Sequence, residues 1–124
     1  MSLRDHLRLY HGSWMLKTDE LNDLFYSRPP VTFTVYPEEE EVTGRPGILE
    51  EYIWNVRTKD PETGEMIRLT EYFRVKFGYK IKHNDEFPIF LDDNTSVLYP
   101  PEVLYVHDIG PHEHEFPNPF TVVV

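Results

Sequence analysis

The chain has 124 residues, with 22 acidic against 12 basic side chains, a formal charge of −10, 11 prolines and 6 glycines. This length fits one domain, and 40% hydrophobic with 15% aromatic content supplies a real core, which excludes global disorder. The absence of cysteine excludes disulfides and thiolate metal sites, and the acid excess argues against a generic nucleic-acid binder, because phosphate would be repelled.

No segment approaches the roughly 20 apolar residues that span a bilayer, and the start lacks the apolar core of a signal peptide. A soluble, cytoplasmic domain without membrane contact is therefore expected. Its abrupt ends suggest a piece cut from a longer protein, with Met1-Ser2-Leu3 as an added leader. Charge is unevenly spread. Residues 57–82 carry seven basic and four acidic side chains, whereas residues 83–124 carry eight acidic and no basic ones. That single basic block is where a polyanion can approach an otherwise acidic body.

In chain order, Leu7, Tyr10, Trp14, Leu21, Leu24 and Phe25 recur at helical spacing with a break at His11-Gly12-Ser13. This predicts two short helices within residues 1–30, the second capped by Thr18, ending at Arg28-Pro29-Pro30. Val31 to Tyr36 alternates as a half-buried strand, and the self-repelling Glu38–Glu41 run predicts a solvated loop. Residues 52–57 are expected to form a second strand. Asp60-Pro61-Glu62-Thr63-Gly64 has turn chemistry and predicts a hairpin returning through residues 65–68.

Thr70 is placed to cap a helix over residues 71–77, with Gly78 ending it in the left-handed conformation. Tyr72 and Phe73 then face the sheet. Strands are expected at residues 79–82, 87–91 and 103–106, with a turn at 92–96. The pattern adds up to a mostly β domain: a small β-barrel core over residues 31–109, helices over 1–30, and an extended tail over 110–124.

Leu69-Thr70-Glu71-Tyr72-Phe73, Lys76-Phe77-Gly78-Tyr79-Lys80-Ile81-Lys82, Phe87-Pro88-Ile89 and Leu98-Tyr99-Pro100-Pro101-Glu102-Val103 together resemble the second half of a PAZ domain. That module belongs to the Argonaute and Piwi proteins and to Dicer, and residues 31–56 match it only as two strands around a loop. The resemblance implies an OB-like or SH3-like barrel with an inserted hairpin and helix, and a cleft between them that anchors the 3′ end of a single-stranded guide RNA. The remaining domains of a parent silencing protein are then partners. The residues carried over are Tyr36, Tyr52, Tyr72, Phe73, Lys76, Phe77 and Tyr99, with Tyr72 as the leading phosphate contact. Hydroxyls, cations and a stacking ring are the groups that a strand end requires.

The chain departs from the family at several of these places. Tyr36 stands where a histidine is usual, Glu50 near an arginine, and Phe77 where a hydroxyl or imidazole is expected. Tyr99 is displaced by one residue, which on a regular strand moves its hydroxyl to the opposite face. The insertion, Arg57 to Arg68, has twelve residues and no aromatic to stack on a terminal base. The alternative is therefore a PAZ-fold structural or protein-interaction module without end binding. Ordinary core packing is the competing explanation for the aromatics. His112-Glu113-His114 is a weak metal candidate in a proline-rich tail, so no metal or cofactor is expected. No nucleophile–base, phosphate-loop or metalloprotease signature occurs, and an enzyme is not expected.

Overall fold

The computed structural model describes residues 1–106. Its elements are α1 (Leu3–Tyr10), α2 (Thr18–Tyr26), β1 (Val31–Val35), β2 (Glu40–Gly44), β3 (Pro46–Ile48), β4 (Arg57–Lys59), β5 (Met66–Arg68), α3 (Leu69–Phe77), β6 (Ile89–Leu91), β7 (Asn94–Tyr99) and β8 (Leu104–Val106). Short 3-10 turns at Trp14–Leu16, Ile53–Asn55 and Pro101–Val103 join them.

The strands form three small antiparallel sheets, ordered β2-β1-β8, β3-β6-β7 and β4-β5. The protein is thus a mixed helix-and-sheet domain, and the expected closed barrel is not formed among the described residues. Most of the strands are only three residues long, too short for a continuous ladder, so side chains bridge the gaps. The Leu98 N–H at the end of β7 donates to the buried Thr58 hydroxyl of β4 at 3.0 Å, and the Arg45 N–H donates to Asp92 Oδ1 at 2.9 Å.

Both N-terminal helices belong to this architecture. Ser2 caps α1 in a reciprocal capping box with Asp5, and Leu3 is fully buried. Thr18 is the first residue of α2, and its hydroxyl donates to Glu50 in place of capping. Asn22 of α2 pairs twice with Ile48 on the free edge of β3: it donates through Nδ2 at 3.1 Å and accepts the Ile48 N–H at 2.7 Å. The helix so covers an edge that would otherwise be open to pairing.

Three further expectations are corrected. Glu40 and Glu41 begin β2, because strand pairing uses only the backbone while their carboxylates stay in water. Residues 52–56 are not a strand, and Arg57 instead begins β4. Ile53 and Val56 are buried while Trp54 and Asn55 are exposed, a period of three that matches a 3-10 turn. Residues 79–82 form no strand either; the Lys82 and His83 N–H groups donate to the Glu102 carboxylate.

The hairpin holds as expected, with Arg57 opposite Arg68 and Lys59 opposite Met66. Its helix begins one residue before Thr70, and Gly78 ends it at φ 63°, where only glycine sits without strain. Gly47 is required for another reason: Phe90 lies across it, and a Cβ would come within 2.4 Å of that ring. The register irregularity between β6 and β7 turns Tyr99 from the place a regular strand would give it. The tail, including His112 and His114, lies outside the described residues.

Asn22→Ala is expected to cost about 2 kcal/mol in urea denaturation, because it strands a part-buried N–H and a carbonyl of Ile48. Asn22→Asp keeps the acceptor and should lose about half as much. A loss under about 0.5 kcal/mol for Asn22→Ala would show that the helix does not hold this edge.

Candidate functional site

The site is built where the β4-β5-α3 unit meets β1, β2 and the end of β7. On the inner face of α3, Leu69 and Phe73 are buried and fix the helix, Tyr72 and Phe77 are half-buried, and Lys76 is exposed. Gly78 reverses the chain, and Tyr79 folds back beneath the helix with its N–H on the Phe73 carbonyl at 3.1 Å.

Aromatic rings then follow one another across the domain. Tyr105 lies 6.3 Å from Tyr36, Tyr36 5.7 Å from Tyr79, Tyr79 6.5 Å from Phe73, and Phe73 5.7 Å from Tyr72 and 5.2 Å from Phe77. Most contacts are edge-on, the arrangement the ring quadrupoles favour. Tyr36 and Tyr105 leave 46% and 40% of their surface open.

Electrostatically the site is mixed. Burial raises the Tyr72 hydroxyl pKa, and the neighbouring Lys76 opposes that rise. Burial likewise raises Tyr99, with the Glu40 carboxylate and Tyr72 adding to it. Lys76 Nζ lies 5.8 Å from the Tyr72 ring centre and 2.8 Å from Glu62 Oε1 on the hairpin turn. The Tyr79 hydroxyl, 2.5 Å from Glu102 Oε2, is raised strongly, first by burial and then by that hydrogen bond.

The ring series thus links Tyr36, Tyr72, Phe73 and Phe77, with exposed Lys76 beside Tyr72, while Tyr99 is half-buried at the end of β7. Phe73 is only 2% exposed and is a core residue that offers no face to a ligand. Tyr52 does not join them. It lies just before a 3-10 turn, and its ring contacts are Trp54 and Phe87. Tyr79, Tyr105, Glu40 and Glu102 belong to the site although the sequence pattern did not single them out. Glu102 carried a readable signal, since it is an acid buried between Pro101 and Val103 in an otherwise apolar segment.

The other cations sit around this cleft. Arg57 and Arg68 face each other across β4-β5, an arrangement that repels unless an anion lies between them. Among the described residues, Lys76 is the only cation of the 57–82 block in an ion pair. No group of three or more His, Asp or Glu is placed to hold a metal among those residues, and no helix there is long and apolar enough to cross a membrane. No protein-family model matches the chain, and no curated protein matches it significantly.

The Tyr79–Glu102 pair gives a pH signature. The folded state holds the Tyr79 proton more tightly than the unfolded chain, so its contribution is complete below the ordinary tyrosine pKa of about 10 and is lost as pH rises above it. Tyr72 and Tyr99 act in the same direction. Urea midpoints measured upward from about pH 9 should therefore fall less steeply for Tyr79→Phe than for the wild type. Tyr26→Phe, at a 75% exposed position, should leave the slope unchanged. Equal slopes in all three would remove the pair from the argument.

Proposed function

We propose that this domain is a PAZ-type module that anchors the 3′ end of a single-stranded guide RNA within an Argonaute-type silencing protein. The observation that carries this reading is the juxtaposition of a tyrosine-lined cleft with a basic unit whose cations are mostly unpaired. Tyr36 and Tyr72 belong to one series of ring contacts, and Arg57, Arg68, Arg74, Lys80 and Lys82 of the 57–82 block are exposed. Phosphates recruit Lys and Arg without regard to sequence, whereas tyrosine hydroxyls and rings suit the sugar and base of a strand end. The like-charged Arg57–Arg68 pair would be relieved by one phosphate.

A second reading has its own observation. The exposed Glu40 carboxylate acts on Tyr72 and Tyr99, and Glu62 already pairs with Lys76, so the surroundings of Tyr72 are not purely positive. A structural or protein-interaction module without end binding accounts for that arrangement.

Fluorescence anisotropy with a 5′-labelled single-stranded RNA, its 3′ end free or blocked, separates the two. End anchoring predicts micromolar binding at roughly 50 mM salt that weakens steeply towards roughly 200 mM and drops at least about tenfold when the 3′ end is blocked. Tyr72→Ala should weaken binding about tenfold with little change in melting temperature, Arg57→Ala should flatten the salt dependence, and Glu40→Gln should tighten binding. Binding indifferent to the 3′ block, or absent at low salt, would overturn the end-anchoring reading and leave the second.

A further inference from the structure

Elsewhere on the chain, a mostly polar, acidic cleft lies beside an exposed aromatic pair. An open cleft of about 360 Å³ at the start of α2 is lined by Met15, Leu16 and Phe87 and by Asp19, Glu20 and Glu50. Leu16 is 83% exposed. Phe87 packs edge-on against buried Trp14 at 6.4 Å and touches Tyr52 at 5.6 Å. Tyr52 in turn stacks on Trp54, their planes within 10° and their centres 6.1 Å apart. The stack leaves 46% of Tyr52 and 52% of Trp54 in water. Phe87 thus joins the acidic cleft to the exposed ring pair.

We propose that this face docks a basic peptide segment of a partner protein, one in which arginine neighbours an aliphatic residue. Charge complementarity selects that occupant. The rim offers Asp19, Glu20 and Glu50, with Glu51 exposed beside them, while the one cation in the lining, Lys17, already lies 3.9 Å from Glu20. Glu50 is held at the wall by the Thr18 hydroxyl. An exposed indole attracts a guanidinium through its π face and carboxylates attract it through charge, and arginine is the residue that can use both. The aliphatic neighbour then fills the space between Leu16 and Phe87.

Other occupants fit less well. Nucleic acid would meet three carboxylates against one lysine already paired with Glu20, so this surface is distinct in chemistry from the RNA reading and does not rest on it. Residues 107–124 of the same chain contain three acidic and no basic side chains, the wrong charge for this rim. A second copy would have to bring its own 57–82 block.

The test is a heteronuclear NMR titration of the full 124-residue chain with the synthetic peptide acetyl-Gly-Arg-Leu-Arg-Gly-amide and with its counterpart carrying glutamate for arginine. The proposal expects saturable shifts at the Trp54 indole and at residues 15–20, 50–54 and 87 with the arginine peptide, and none with the glutamate peptide. Trp54→Ala, at an exposed position, and Glu20→Gln should each weaken binding at least about fivefold with unchanged melting temperature. The proposal is overturned if both peptides shift the same residues, if the shifts centre on residues 57–82, or if neither substitution weakens binding. It is also overturned if raising the protein concentration alone reproduces the shifts, which would make the face a contact between copies.

Discussion

The arrangement of the site depends on one buried carboxylate. Glu102, 9% exposed, accepts the Tyr79 hydroxyl and the backbone N–H groups of Lys82 and His83. A carboxylate so placed must be satisfied, because an unpaired buried charge costs several kcal/mol. Satisfying it pins the chain after α3 to the closing 3-10 turn. Tyr79 cannot leave without stranding Glu102, and it carries Tyr36 on one side and Phe73 on the other. The position of the hairpin-and-helix unit over the sheet follows from that triple contact as much as from the burial of Leu69 and Phe73.

A second link of the same kind lies one strand of chain further on. Arg4 Nε donates to Glu86 Oε1 at 2.8 Å, both side chains being largely buried, so α1 is tied to the segment between α3 and β6. That segment also accepts the Ile53 and Trp54 N–H groups through the Glu86 and Asn84 carbonyls. One irregular stretch, residues 79–88, therefore connects the N-terminal helix, the turn that presents Tyr52 and Trp54, and the cleft around Tyr72. It has no regular secondary structure because its backbone donors are used on side chains and turns, not on a ladder. The two faces of the domain are set relative to each other through it.

What the sequence made legible divides along the range of the interactions. Local chemistry was readable: the Asp60–Gly64 turn, Gly78 at the end of α3, the N-terminal helices, and the alternation of Val31 to Val35 all appear where expected. Features decided by distant partners were not. Glu40 and Glu41 look like loop until β1 is available to pair with them, and residues 79–82 look like strand until Glu102 takes their donors. The irregular β6-β7 register, which sets Tyr99 opposite Ile89, is likewise invisible in the order of residues. The aromatic residues proposed for the cleft could be named from their order in the chain. That Tyr52 would side with Trp54 could not, since it depends on a 3-10 turn whose period of three mimics alternation over so few residues.

The balance of forces at the cleft follows from what the hairpin lacks. Stacking of a base on an aromatic ring contributes about 1–3 kcal/mol, and the β4-β5 unit carries no ring to supply it. Open rings are offered by Tyr36 and Tyr105, which lie outside that unit. A strand end held here would therefore stack against the sheet side and meet its phosphates on the hairpin side, at Arg57 and Arg68. Charge would then bring the strand in, and the hydroxyls of Tyr72 and Tyr99 would decide whether its terminus fits. Glu40 opposes an additional terminal phosphate at that depth but can accept hydrogen bonds from sugar hydroxyls, so the same residue that weakens attraction for a polyanion would favour an unmodified end.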